Sequence, residues 1–122
     1  MAEFMKRQTS RLKRHRRILL KMHGTSARPR LVIHRTLKNL SAQLIDDVAS
    51  KTLFSLSTLD KEVRQNFSSA GNVKTAEFFG QVFAQGAKEK RITKIIFDRA
   101  GYLYHGRIKA FAEALRKGGL EF

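Results

Sequence analysis

Three segments near the start of the folded region alternate apolar and polar side chains. They span residues 30–36, 41–47 and 52–58, and each reads as a β-strand because successive strand residues point to opposite faces. The connections, 37–40 and 48–51, are short enough for hairpins. The pattern therefore predicts a three-stranded antiparallel meander.

The apolar spacing then changes to a helical period. Asn72 is a good N-cap, and apolar residues at three- and four-residue spacing predict a helix over 72–90. Gly80, on its inner face, lowers helix propensity and indicates a close approach to the sheet. The preceding stretch, 59–70, is polar and predicts irregular structure. After the helix, residues 94–98 read as a short buried strand, which a crossover connection would place parallel to a meander strand.

Two further helices are predicted at the ends of the chain. The last runs over 105–117, with Gly118 and Gly119 as its stop and Leu120 as the apolar contact of a C-cap motif. The first covers 4–22, where a narrow apolar stripe lies among cations. The predicted fold class is α/β: a basic N-terminal helix or arm, the three-stranded antiparallel meander, a helix, a parallel strand and a C-terminal helix, with helices packed on a mixed sheet.

Charge divides the chain into two parts. The first thirty residues hold ten of the 25 Lys and Arg residues and a single acid, Glu3, within a formal net charge of +15. Such a segment repels itself and needs a polyanion to become ordered. We expect residues 1–27 to be a basic RNA-binding arm that is disordered when free, and 28–122 to be a single α/β domain.

Composition also limits the compartment and the chemistry. The chain has no cysteine, so it has no disulfide framework and no thiolate metal site, which suits the cytoplasm. No stretch approaches the roughly 20 apolar residues of a membrane span, so no membrane partner is expected. A secretory signal is not indicated, but a mitochondrial presequence remains an alternative interpretation of the Arg-rich start.

Residues 97–107 combine groups that suit RNA. Two glycines allow close backbone approach, flat rings can stack on unpaired bases, and cations can hold phosphates. The rings are Tyr102, Tyr104 and His105, and the cations are Arg99, Arg107 and Lys109 on the following helical turn. The alternative is an ordinary strand-to-helix loop with one tyrosine packed in the core.

Four carboxylates allow a competing enzymatic interpretation. A metal-dependent nuclease would need Asp46, Asp47, Glu77 and Asp98 to converge on magnesium. Asp46 and Asp47 lead into a hairpin turn, where Asp is common, so no catalytic residue is assigned. The four histidines lack metal-ligand spacing, and neither a metal nor another cofactor is predicted.

Several short motifs, in order and at matching spacing, resemble one family. They are R-P-R-L-V-I-H-R at 28–35, A-Q-L-I-D-D at 42–47, S-T-L-D-K-E at 57–62, G-N-V at 71–73, F-D-R-A-G-Y-L-Y-H-G-R-I-K-A at 97–110 and G-L-E-F at 119–122. Together they resemble large-subunit ribosomal protein eighteen of bacteria, the 5S-rRNA-binding family. The block at 97–110 is the most specific part.

The resemblance implies a structural protein of the ribosome in the cytoplasm. It implies binding to 5S rRNA, attachment of that RNA to 23S rRNA in the central protuberance, and contacts with neighbouring large-subunit proteins. Asn39 and Ser41 stand where the family commonly has His and Tyr, so no stacking role is placed there. The residues predicted to bind RNA are Lys6, Arg7, Arg11, Lys13, Arg14, Arg16, Arg17, Lys21, Arg28, Arg30, Arg35, Lys38, Arg99, Tyr102, Tyr104, His105, Arg107 and Lys109. A general basic nucleic-acid chaperone is the rival binding function.

Overall fold

The fold follows the predicted order of elements. The computed structural model describes residues 12–13, 23–64, 72–100 and 102–122. Its elements are strands β1 (Arg30–Arg35), β2 (Leu40–Asp46) and β3 (Lys51–Ser57), helices α1 (Lys61–Arg64) and α2 (Val73–Glu89), strand β4 (Ile96–Asp98) and helix α3 (Arg107–Lys117).

The four strands form one mixed sheet in the order β3-β2-β1-β4. Strand β2 pairs antiparallel with both β1 and β3, which confirms the meander. Strand β4 pairs parallel with β1, with Leu31 opposite Phe97, which confirms the predicted crossover. Antiparallel neighbours can be joined by hairpins, whereas the parallel pair needs the intervening helix to return the chain.

The core lies between one face of the sheet and the helices α2 and α3. Alternate residues of β1 and β2 are buried on this face, and the helices cover them with aromatic rings. Phe79, Phe83 and Phe111 are fully buried, and the Phe79 and Phe111 rings stack with centroids 5.1 Å apart. The period-two and helical patterns thus converge on a single apolar layer, since burying these faces is the main favourable term in folding.

Gly80 brings the two long helices together. A Cβ atom at this position would lie 2.6 Å from the Ala114 Cβ and 2.8 Å from the Phe111 carbonyl oxygen. The expectation that Gly80 approaches the sheet is therefore wrong, because its neighbour is α3. Helical spacing identifies a buried face but not which element covers it.

The ends of the helices follow local rules. The Asn72 side chain accepts a hydrogen bond from the Thr75 amide at 2.9 Å, as its N-cap role predicts. At the end of α3, the Leu120 amide donates to the Leu115 carbonyl at 3.1 Å, and Gly119 has a φ of 99°, which confirms the predicted C-cap motif.

One stretch predicted as irregular is partly helical, and one predicted helix lies almost entirely outside the described residues. Part of the stretch predicted as irregular forms α1, a single turn that buries Val63. The predicted helix over 4–22 falls outside the described residues except for Leu12 and Lys13, which are both helical. Among the helices that the structure describes, none has the length and apolarity to cross a membrane.

A three-residue ion-pair network, Arg30 with Asp47 and Asp98, crosses the face of the sheet opposite the helices. The Arg30 Nε and Nη2 atoms donate to the two Asp47 oxygens at 3.0 and 3.1 Å, and Nη1 donates to Asp98 Oδ2 at 2.7 Å. The Asp98 side chain is fully buried. Arg30 lies on β1, Asp98 ends β4 and Asp47 follows β2, so the network links three strands.

The network shifts the pKa values of Arg30 and Asp47 toward the charged forms of both side chains. The hydrogen bond from Arg30 lowers the pKa of Asp47, against the opposing effect of burial, and the Gly24 amide lowers it further. The hydrogen bond to Asp47 likewise raises the pKa of Arg30. A carboxylate with a lowered folded-state pKa stabilises the fold at neutral pH.

Replacing Arg30 should destabilise the protein strongly. Arg30→Met removes the guanidinium that binds the fully buried Asp98, and removing one partner of a buried pair costs about 3–5 kcal/mol. Urea unfolding measures this loss. Arg28→Met, at an exposed neighbour, is the control and should change stability by no more than about 0.5 kcal/mol. Adding Asp98→Asn to Arg30→Met should recover part of the lost stability, because it removes the buried negative charge. Equal urea midpoints for all variants would contradict a stabilising role of the network.

The contribution of Asp47 should depend on pH. Its stabilisation is fully present above the unfolded-state pKa of about 4 and is lost as the pH falls through the lowered folded-state pKa. The gap in urea midpoint between the wild type and Asp47→Asn should therefore be constant near neutral pH and close in acid. A gap that stays the same down to about pH 2, well below that reference value, would show that the carboxylate charge is irrelevant.

Candidate nucleic-acid interface

Gly24, in the segment before β1, is hydrogen-bonded to the residue that follows β2. Its amide donates to Asp47 Oδ2 at 2.7 Å, and its carbonyl accepts from the Asp47 amide at 3.0 Å. A Cβ atom at Gly24 would lie 2.5 Å from the Arg30 backbone nitrogen and 2.7 Å from the Ile45 carbonyl oxygen. Only glycine permits this approach, so the chain enters the domain at a defined point beside the end of β2.

Most arm cations lie outside the described residues. These are Lys6, Arg7, Arg11, Arg14, Arg16, Arg17 and Lys21. Lys13 and Arg28 are described, and both are exposed. In the described part of the chain, neither forms an ion pair.

Arg30 is not available to RNA in the way that the sequence predicts. Its three guanidinium nitrogens all donate to Asp47 and Asp98, and its side chain is 12% exposed. We therefore reassign Arg30 to the fold, because the fork that would bind a phosphate already holds two carboxylates.

Tyr102 also belongs to the fold. It is 8% exposed, its hydroxyl donates to the Arg35 carbonyl at 3.3 Å, and the Arg35 guanidinium carbon lies 4.9 Å from its ring centre. A ring buried in this way cannot stack on a base, so the core-packing alternative for one tyrosine applies to Tyr102. Tyr104 and His105 are exposed, as an RNA contact requires.

The loop between β4 and α3 has a shape that sequence periodicity does not predict. The helix starts at Arg107 rather than at 105, because Gly106 has a φ of 57° and the His105 amide donates to the Leu103 carbonyl at 2.9 Å. His105 consequently lies in the loop. The first turn of α3 contains no acid and has no side-chain cap, so its amides can attract an anion.

Four cations lie in the first turn of α3 and on the hairpin that this turn contacts. Arg107 Nη2 donates to the Thr36 carbonyl at 2.9 Å, which joins α3 to the β1–β2 hairpin beside Arg35. Lys38 in that hairpin and Lys109 in the first helical turn are exposed. We call Arg35, Lys38, Arg107 and Lys109 the hairpin–helix cluster.

The hairpin–helix cluster is not neutralised. Burial lowers the pKa of Arg107, and the positive charge of Arg35 lowers it further. Arg107 Nη1 is buried and has no hydrogen-bond partner in the described part of the protein. No acidic side chain forms an ion pair with either arginine among the described residues. Two adjacent cations without an acidic partner among the described residues favour an anion, and a guanidinium matches a phosphate in shape.

One departure from the family pattern in the first hairpin, Asn39, has a structural role. Asn39 Oδ1 accepts a hydrogen bond from Thr58 Oγ1 at 3.0 Å, and the Asn39 carbonyl accepts from the Thr36 amide at 2.9 Å. Asn39 therefore holds the hairpin against the end of β3. This hairpin in turn carries Lys38.

The carboxylates do not form a metal site. Asp46 Oδ1 accepts from the Val48 and Ala49 amides in the β2–β3 turn, while Asp47 and Asp98 bind Arg30. Among the described residues, no group of three or more potential ligands is placed to hold a metal ion. The geometry gives the acids turn-forming and ion-pairing roles instead of a nuclease centre.

One feature near this surface is not predicted by the sequence. Arg116 Cζ lies 4.3 Å from the centre of the Phe122 ring, and both side chains share a groove with Arg99 and Tyr104. No local pattern indicates this, since the contributing residues come from separate elements. In the sequence, Phe122 stands out only as the last residue of the closing G-L-E-F motif.

Comparisons with known proteins agree on one family. The family model described as ribosomal L18 of archaea, bacteria, mitochondria and chloroplast matches residues 5–122. The chain is similar to proteins called large ribosomal subunit protein uL18. That of Alkaliphilus oremlandii is 47% identical over all of both chains, and that of Clostridium novyi is 51% identical over 95% of each. That of Lactobacillus acidophilus is 55% identical over 92% of each.

Proposed function

The chain belongs to the ribosomal L18 family, and from that membership we propose that it binds 5S rRNA and helps to attach it to 23S rRNA in the central protuberance. Proteins of this family are structural constituents of the large ribosomal subunit, so the chain is a cytoplasmic ribosomal protein and not an enzyme. Ribosomal RNA and neighbouring ribosomal proteins are its partners.

The observation that carries the RNA-binding proposal is the hairpin–helix cluster. Arg35 and Arg107 lie together without an acidic partner among the described residues, and Arg107 keeps one buried donor unused. Maintaining such repulsion costs stability, and the negative charge of a phosphate near the two guanidinium groups would relieve it. The cluster also includes part of the block that is most specific to the family, residues 97–110.

We propose a two-part interface on this basis. The arm, residues 1–27, supplies much of the affinity because each neutralised phosphate releases counterions. The domain, residues 28–122, selects the RNA through the hairpin–helix cluster together with Arg99, Tyr104 and His105. Because Gly24, near the C-terminal end of the arm, is hydrogen-bonded to Asp47, this end of the arm has a defined position on the domain.

Binding to 5S rRNA should depend steeply on salt. With roughly six to ten phosphate contacts, affinity in filter binding should fall about 10³–10⁵-fold between about 50 and 200 mM salt. Arg107→Gln should weaken binding and reduce the slope of log affinity against log salt by about 1. Lys90→Gln, an exposed cation at the far end of α2, is the matched control and should leave both quantities near the wild-type values. Equal wild-type affinity for an unrelated RNA of the same length would contradict the proposal.

Removing residues 1–22 should separate a specific binder from a general chaperone. The shortened chain keeps Gly24 and its bonds to Asp47, so the domain should unfold at the same urea concentration as the full chain. A protein specific for 5S rRNA should then bind weakly but still prefer 5S rRNA over a length-matched RNA. Loss of the preference along with the affinity would favour a general nucleic-acid chaperone.

A further inference from the structure

An apolar groove with a cationic rim lies beside β4, an edge strand of the sheet. Its volume is about 600 Å³, within the range of sites that hold small ligands. Phe97 and Phe122 form part of the apolar floor. Arg28, Arg99 and Arg116 line the rim together with the Tyr104 ring.

Ring stacking holds the floor in place. The Phe97 and Phe122 rings stack with centroids 5.3 Å apart and an interplanar angle of 20°. The Phe97 ring also packs against the buried Phe111 ring, with 6.5 Å between their centroids. Arg116 lies over Phe122, and its Nη2 donates to the Phe122 carbonyl at 3.3 Å. The groove thus offers flat surfaces that are anchored to the core before any ligand binds.

The charge of the groove selects the kind of occupant. Three of the lining residues are arginines and none is acidic. Arg28 and Arg99 form no ion pair among the residues that the structure describes. Flat apolar surfaces with surrounding guanidinium groups complement a ligand that is both planar and anionic, such as a nucleotide.

An added peptide strand fits less well. Part of this edge is already paired, since the Ile95 amide donates to the Glu121 carbonyl at 3.0 Å and the Glu121 amide donates to the Thr93 carbonyl at 2.8 Å. Strand addition needs a row of free backbone groups along an exposed edge. With that row interrupted, side-chain contacts favour a nucleotide over an extended peptide.

We propose that this edge groove holds one unpaired nucleotide of the bound RNA. Its base stacks on the Tyr104 ring and the Arg116 guanidinium, above the Phe97–Phe122 floor, and Arg99 and Arg28 hold its phosphates. The assignment rests on the proposed RNA-binding function and adds a specific site and ligand class to it. It also gives a role to Arg116 and Phe122, which lie outside the predicted contacts.

Truncating Tyr104 tests the stacking contact. Tyr104 is 38% exposed, so Tyr104→Ala should leave the domain folded, with a urea midpoint only modestly lower, while it weakens 5S rRNA binding about 5- to 150-fold, the usual effect of losing one stacked base. The salt slope should stay at the wild-type value, because no phosphate contact is removed. Tyr104→Phe, which keeps the ring, should bind as the wild type does.

Two controls lie on the opposite edge of the sheet. Leu59→Ala truncates an exposed apolar side chain just after β3 and should not change affinity. Arg99→Gln should reduce the salt slope by about 1, whereas Lys51→Gln, at the start of β3, should not.

The outcomes separate this proposal from the one on which it rests. If the full-length wild type shows no preference for 5S rRNA, the proposed function fails. If the wild type is selective but Tyr104→Ala binds like Leu59→Ala, only the groove assignment is overturned. An equal loss of 5S rRNA affinity in Tyr104→Phe and Tyr104→Ala would also overturn it. The groove assignment would likewise be wrong if Tyr104→Ala kept its RNA affinity but lost binding to a neighbouring ribosomal protein.

Discussion

The ion-pair network of Arg30, Asp47 and Asp98 is the constraint on which the rest of the structure depends. It joins the central strand β1 to the parallel strand β4 and to the end of β2. The same Asp47 carboxylate accepts the Gly24 amide, so it also sets the point where the basic arm joins the domain. A buried charge that loses its partner is costly, which makes this arrangement of strands and arm a single unit.

The network also divides the cations of this basic protein into two kinds. Arg30 is neutralised internally and holds the sheet together. Arg35 and Arg107 lie in contact with the fold but have no acidic partner among the described residues. The positive charges that make up the net charge of +15 are therefore not equally available at the surface. Among the described residues, unneutralised cations collect where β4 passes into α3 and where the first hairpin turns, and this concentrates positive potential in one region.

Most of the fold could be predicted from the sequence because its signals are local. The alternation in β1, β2 and β3, the Asn72 cap and the Gly118-Gly119 stop depend on residues close to one another in the chain. The resemblance carried by residues 97–110 identified the family for the same reason. The errors concern packing partners: Gly80 approaches α3 instead of the sheet, and Val63 forms part of a helical turn because it is buried.

By itself, the sequence determined the order of strands and helices, the family and an anionic partner, since periodicity, motif spacing and charge balance are properties of the linear chain. Only the tertiary structure decided which of the candidate RNA-binding side chains are free to contact a ligand. Arg30 and Tyr102 have the same residue types as Arg99 and Tyr104, yet the first two are held inside the protein by partners 68 and 67 residues away, Asp98 and Arg35. Their availability depends on burial and pairing across the fold, and these arise only when distant segments pack together.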